Sequence, residues 1–373
     1  MKIVSRSLLA DADWDEVAEI SSQGWLFHLG SWIEHEARIT GARDVSFAVV
    51  SKGVPICIVP LFVSELGLGS FVERLVHNAL HRHTGAALIG GLSQEDAEAA
   101  STSVMREIQR IAEEENADRI HLGLQNLSDE SLGSTRREVP DFVHEHGFHL
   151  GIAFGPMGVL PAPGFTTTVV DQIVDLRRDE DQMFADLKQV CRRNVRSAAK
   201  AGVAVVDVTS DVELVDRYYA LAERSARRTG ESIQPRDAFD ALFGNFAPLH
   251  LTALMATKDD VDVAAAILLH FKGKLYYFAG ASDPDYLKFF VNDALQWGVL
   301  KHGRAMGYTH YRLGPIFPTV PRGWPIETVS RFKSKFGAKP WTIIQGSHFR
   351  NPEKYVPVMQ AHLARLQEEN DVE

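Results

Sequence analysis

Lys188, Arg192, Arg196 and Lys200 recur at every fourth residue in "LKQVCRRNVRSAAKAGV", and Arg193 stands beside them. Residues four apart share one face of an α-helix, so the spacing predicts a cationic stripe about 18 Å long. Met183, Phe184, Leu187, Val190, Cys191, Val195 and Ala198 fall on the other face at an apolar 3.6-residue period. Together they predict one basic amphipathic helix over 183–200. Asp186 is the one acidic residue between Met183 and Lys200. An unpaired cationic cluster repels itself, so an anion site is weighed here against a plain solvated helix face.

Other residues have chemistry to offer. In "RFKSKFGAK", Phe332 and Phe336 are spaced to face a core, which leaves Lys333 and Lys335 flanking that face. Tyr276, Tyr277, Ser282 and Tyr286 surround the end of a strand-like run. Neighbours alternate across a strand, so one of the two tyrosines points toward a cleft, and Tyr277, Ser282 and Tyr286 are candidate pocket residues. Asp283 and Asp285 in "SDPD" have the chemistry to orient or deprotonate an amine, or simply to form a turn. His77 and His81 are four apart with His83 nearby, but Asn78 stands where a His-Glu-x-x-His site has its glutamate. A structural role is preferred and no metal site is assigned. Gly-x-Ser-x-Gly is absent, and no Ser-His-Asp arrangement argues for a hydrolase.

These residues need a scaffold. "SFAVVSKGVPICIVPLFVS" reads as two strands joined at Lys52-Gly53, followed by a helix from Ser93 to about Glu115 and a strand in "ADRIHLGLQN". Ser93 with Glu95 and Asp96 reads as a helix start. The second half repeats the order. Three strand-like runs, the last two joined near Lys272-Gly273, precede a helix over about Leu287 to Met306, ended by Gly307, and a strand in "THYRLGPIF". Leu122-Gly123 and Leu313-Gly314 occupy the same place after the same helix. The chain reads as a duplicated α/β unit with mixed sheets. The Pro/Gly-rich "FGPMGVLPAPGF" marks the boundary and gives domains over 1–160 and 161–373.

The succession of "RRNVRSAAKAGVAV", "YYALAERSARRTG", "GASDPDYLKFFVNDALQWGVLKHGRAMGYTHYRLG" and "SRFKSKFGAKPW" resembles the Fem-type peptidyltransferases. "GWLFHLGSWIEHEA" resembles their opening, and the likeness extends over nearly the whole chain. It implies two tandem GNAT-like (N-acetyltransferase fold) domains. It also implies an acyltransferase that moves an amino acid from aminoacyl-tRNA to the amine of a peptidoglycan-precursor side chain, with no metal or redox cofactor. Lys333 falls where the family carries a lysine at the reaction centre, where a cation stabilises the oxyanion of the tetrahedral intermediate. Arg192, Arg193, Arg196 and Lys200 would then hold tRNA phosphates or a sugar-nucleotide pyrophosphate, with Trp32 and Arg38 contributing to the substrate site. Two departures stand out. There is no room for a long helical arm between Val206 and Leu249, and Glu34 and Glu36 follow Trp32 with Arg38 as the nearest cation. The glutamates would repel a phosphate, which points to another acceptor, such as a polysaccharide or a different amine.

Acyl-coenzyme A is the rival donor. GNAT-fold enzymes hold its pyrophosphate on a glycine-rich helix start, Gln/Arg-x-x-Gly-x-Gly/Ala. "RHTGAA" (Arg82 to Ala87) matches that loose pattern, whereas "SDPDYLKFF", at the expected place in the second half, does not. This alternative is an N-acyltransferase of envelope or exopolysaccharide synthesis. A third is a non-catalytic GNAT pair that binds an anionic ligand.

Composition bounds the rest. The 373 residues carry a formal net charge of -10 at pH 7, which argues against general coating of nucleic acid but allows a local anion site. The longest apolar runs are too short to span a bilayer, and "MKIVSRSLLADADWDE" has no signal-peptide core. Cys57 and Cys191, far apart, do not read as a disulfide framework, so the expected compartment is the cytoplasm. The acyl group, the acceptor and the oligomeric state are not written in the sequence.

Overall fold

Lys52-Gly53, Asp259-Asp260 and Lys272-Gly273 each adopt positive φ at both residues, between 45° and 86°. That is the conformation a two-residue hairpin needs to match the right-handed strand twist. In a computed structural model of the chain, these turns nucleate the central hairpins of two units. The structure describes residues 1–68, 71–78, 84–124, 127–133, 146, 148–150, 170–230, 233–317, 325–342, 344–358, 360–361 and 364. One unit comprises Met1–Val169 with Ile343–Glu373, the other Val170–Thr342.

In the first unit the order is β1 (Lys2–Ser5), α1 (Asp11–Ile20), α2 (Gly30–Thr40), β2 (Arg43–Asp44), β3 (Phe47–Ser51), β4 (Val54–Val59), β5 (Phe62–Leu68) and β6 (Phe71–His77). Then come β7 (Ala87–Leu88), α3 (Gln94–Glu114), β8 (Arg119–Gly123), α4 (Asp129–Gly133) and β9 (His149–Leu150). Two sheets result, β1-β3-β4-β7 and β2-β5-β6-β8-β17-β9, where β17 is Gln345–Phe349. Val49, Val76, Ile108 and Ile120 are buried together in the core under α3.

The second unit runs β10 (Val170–Asp175), α5 (Glu180–Asp186), α6 (Gln189–Lys200), β11 (Ala204–Asp207), α7 (Leu214–Thr229), α8 (Arg236–Phe246), β12 (Leu251–Lys258) and β13 (Val261–Phe271). It continues with β14 (Lys274–Ser282), a 3-10 helix (Pro284–Phe289), α9 (Val291–Ala305), β15 (His310–Ile316), α10 (Pro325–Lys333) and β16 (Lys339–Thr342). Its seven strands form one mixed sheet ordered β11-β12-β13-β14-β15-β10-β16. The expected duplication is present. Each unit carries a hairpin, a long helix, and a following strand that pairs in parallel, β6 with β8 and β14 with β15.

Several sequence expectations are corrected. The segment after Thr342, expected in the second domain, lies in the first unit, because β17 fills the slot between β8 and β9. The expected boundary stretch, 154–165, lies outside the described residues. The single helix over 183–200 is two helices, broken where Leu187 and Lys188 turn extended with ψ of 142° and 148°. The break sends Leu187 into the core at 1% exposure and lets the Lys188 N–H donate to the Lys335 carbonyl at 3.0 Å. Gly337, at φ +71°, permits that approach, since a Cβ there would sit 2.9 Å from the Asp186 Cβ. Val190, assigned to the apolar face, is exposed.

Candidate functional site

β14 and β15 stay paired only over Lys274–Tyr276 and His310–Arg312. Beyond this point each strand follows its other neighbour, and each carries an extra residue in that ladder: Phe278 against β13 and Leu313 against β10. Such bulges bend a strand and increase its twist. The two parallel strands therefore part into a fork whose apex is Tyr276 and Arg312.

Four residues meet at the apex. Arg312 is 5% exposed; its Nε donates to Asp171 Oδ2 of β10 at 2.7 Å, and its guanidinium lies 4.4 Å from the ring centre of Tyr276. Lys333, the last residue of α10, donates from Nζ to the Pro315 carbonyl at 3.3 Å. Gly314 makes room for it: φ is +97°, and a Cβ would stand 2.8 Å from Nζ. Ser330 Oγ accepts the Phe317 N–H at 3.0 Å and ties α10 to the end of β15. Burial lowers the Lys333 pKa to about 8; the Arg312 cation adds to that effect and the Asp171 carboxylate opposes it. The amine is thus mostly protonated at neutral pH yet close to its midpoint.

The candidate pocket residues line the β14 arm of the fork and the turn beyond it. The Tyr277 hydroxyl lies over Gly280, where a Cβ would be 1.9 Å away, and burial pushes its pKa up to about 12. Ser282 Oγ accepts from Asn292 Nδ2 at 3.3 Å, fastening the end of β14 to α9. Tyr286 is half-buried beside Phe289. Asp283 is committed to the turn: it accepts the Asp285 N–H at 3.0 Å and pairs with Arg224 at 2.8 Å.

The basic stripe is divided. Arg192 donates to the Ala185 carbonyl at 2.8 Å and to the Leu187 carbonyl, so it caps α5. Arg196 lies 5.0 Å from the Phe184 ring centre but remains partly exposed, and Lys200 is exposed at the end of α6. Arg193 is exposed as well. Lys188 Nζ donates to Ser334 Oγ at 3.2 Å, which brings the start of α6 against the residue that follows Lys333.

Sequence reasoning missed Asp171 and Arg312 as a pair, and also a second buried cluster. Lys335 Nζ meets Asp293 Oδ1 and Oδ2 at 2.8 and 2.9 Å, and Asn194 Nδ2 reaches Asp293 Oδ1 at 3.3 Å. These bonds tie α6, α9 and the turn after α10 together. Cys191 belongs to this cluster, and burial, reinforced by the Asp293 carboxylate, pushes its thiol up to about 12, an unreactive state. The repeated Leu-Gly pair directly after Arg312 was a usable signal; nothing in the sequence marks Asp171 as its partner.

In the first unit Trp32 is 1% exposed, packed 4.8 Å from Phe27 and 5.4 Å from His35. It is a core residue, which corrects its assignment to a substrate surface; Arg38 is exposed on α2. The gap where β6 and β8 diverge is bridged by Asn78, which donates to the Gly123 carbonyl at 2.8 Å and accepts the Gly123 N–H at 3.0 Å. Of "RHTGAA", Arg82 and His83 lie outside the described residues, and Ala87 begins strand β7 well ahead of α3. Ser93 already caps α3, whose first turn carries Glu95 and Asp96. His77 bonds Ser64 Oγ at 2.9 Å, while His81 lies outside the described residues. Among the described residues no group of three His, Cys, Asp or Glu side chains could hold a metal ion, and no helix is long and apolar enough to cross a membrane.

A separate cavity of about 430 Å³ lies at the C-terminal end of α9, lined by Asp207, Asp211, His270, His302 and Tyr308 among others. Burial, helped by His250, holds the His270 pKa down to about 4, and burial lowers that of His302. Both rings are neutral at pH 7, so neither offers a cation to an anionic donor.

Residues 185–323 match the acetyltransferase (GNAT) domain family. No curated protein matches the sequence as a relative. Among solved structures, the chain is similar to FemX (TM-score 0.70, 14% identity, covering 95% of this chain and 99% of that one). It is also similar to the C-terminal domain of a putative lysylphosphatidylglycerol synthetase from Agrobacterium fabrum (TM-score 0.54, 13% identity, 91% and 92% covered). A third similar structure is a tandem GNAT protein from the clavulanic acid biosynthesis pathway (TM-score 0.50, 12% identity, 93% and 98% covered).

Proposed function

We propose that the chain, which has the tandem GNAT fold that FemX also has, is an acyltransferase of the cytoplasm that transfers an aminoacyl group from aminoacyl-tRNA to the amine of an envelope precursor. The observation that carries this reading is the Lys333 amine, half-buried at the fork of β14 and β15 against the Pro315 carbonyl. An activated ester and an amine react without a protein nucleophile, so positioning and charge stabilisation can supply the catalysis. The acceptor nitrogen bonds to the ester carbon, the carbonyl oxygen becomes an oxyanion facing the Lys333 ammonium, and collapse breaks the bond to the ribose oxygen of the tRNA, which leaves as a hydroxyl with the proton that the acceptor nitrogen gives up. No metal or redox group has a part in these steps.

Charge favours tRNA as the donor. The cations Arg193, Arg196 and Lys200 extend along α6 from the segment that follows Lys333, which suits a polyanion. The approach to α9 carries Asp283 and Asp285 in place of a glycine-rich loop, which disfavours a pyrophosphate there. The second reading, an acyl-coenzyme A-dependent N-acyltransferase, is favoured by the acetyltransferase domain match. Single-turnover assays with labelled aminoacyl-tRNA and a sugar-nucleotide pentapeptide, run in parallel with acetyl-coenzyme A, separate the two. Transfer from aminoacyl-tRNA is expected. Transfer from acetyl-coenzyme A alone moves the assignment to the second reading, and transfer from neither donor refutes both.

A further inference from the structure

We infer that the buried Asp171–Arg312 pair is a positioning element for Lys333, setting where the amine rests and the opposed charges it meets there. Its consequence for catalysis rests on the reading of Lys333 above; the coupling itself does not.

The pair sits where the sheet divides. Arg312 and Tyr276 are the last residues of β15 and β14 in register, and Asp171 is in register with Pro315, whose carbonyl receives the Lys333 amine. Three adjacent strands therefore contribute Tyr276, Arg312 and Asp171, and the lysine enters over Gly314. A buried ion pair gives little stability over apolar residues of the same volume, so a role beyond stability is the economical account of this one. Its two charges act on Lys333 in opposite senses, Arg312 against the ammonium and Asp171 in its favour. Other nearby charges are engaged elsewhere: Lys335 with Asp293, and Arg331, which is exposed, with Glu327 at 3.8 Å.

The test follows Lys333 directly. Reductive methylation with ¹³C-formaldehyde labels the lysines of the whole protein, and the resonance missing from Lys333→Met identifies Lys333 in an NMR titration. Asp171→Asn leaves the guanidinium uncompensated and should move the Lys333 midpoint down by about one unit or more; Arg312→Gln should move it up by a similar amount. A purely structural pair would not produce shifts of opposite sign. Should either single variant fail to fold, the neutral double variant Asp171→Asn/Arg312→Gln decides. With both charges gone, its Lys333 midpoint should lie closer to the wild-type value than that of the single variant that folds. Midpoints unchanged in every folded variant overturn the inference. If Lys333→Met keeps full transfer activity while the midpoints move, the catalytic reading fails and the coupling stands.

Discussion

At Lys333 the cost of burial and the proposed function fall on the same atom. An ammonium held in a partly dry site with a midpoint near 8 is destabilising while it stays protonated, and its ordinary value is 10.5. The unfolded chain binds the proton more tightly, so stability rises with pH between about 8 and 10.5. Lys333→Met should therefore raise Tm at pH 7, with the gain over wild type shrinking as pH increases through that window. The same variant should lower the single-turnover rate by about 10²- to 10³-fold, the loss typical of one oxyanion donor. Wild-type turnover should decline above about pH 8 as the cation is lost. A rate unchanged by Lys333→Met removes the residue from the reaction.

At the scale of elements, the bulge in β15 and the break between α5 and α6 do the positioning. Gly314→Ala should cost about 1–3 kcal/mol in urea unfolding, because it forces a side chain into a positive-φ position. It should also reduce transfer, because the new Cβ displaces the Lys333 amine. The cations of α6 separate into structural and solvent-facing groups. Arg192→Glu should destabilise the fold by uncapping α5. Arg193→Glu and Lys200→Glu should leave Tm within about 1 °C, since surface substitutions away from such features change stability little. They should weaken tRNA binding and flatten its salt dependence by about one unit of slope for each phosphate no longer neutralised. Equal tRNA affinity in wild type and the Arg193/Lys200 variants would dismiss the polyanion surface.

For the whole molecule, the C-terminal segment is part of the first unit. Arg119 holds Glu73 through two bonds at 2.6 and 3.0 Å and donates to Ser347 Oγ of β17 at 3.2 Å, and Tyr355 also donates to Glu73. A fragment comprising residues 1–160 lacks all that β17 supplies, including the strand that covers the edge of β8. It should fail to show a cooperative urea transition, and a synthetic peptide spanning 344–358 should restore one. A fragment that unfolds cooperatively without the peptide contradicts this arrangement.

Local pattern was enough for the hairpins, the long helices and the duplication, because turn glycines and apolar periodicity act over a few residues. The family resemblance implied the fold and the placing of Lys333. What it left open was set by pairing across long sequence distances. Asp171 meets Arg312, and Ser347 meets Arg119, only because strands remote in sequence lie side by side. The basic stripe looked continuous because helical spacing runs unbroken through Leu187, yet burial of that side chain and a backbone bond to Lys335 divide it. Trp32 had its substrate role from the family resemblance, and only the packed structure decides whether that face of the helix meets ligand or core.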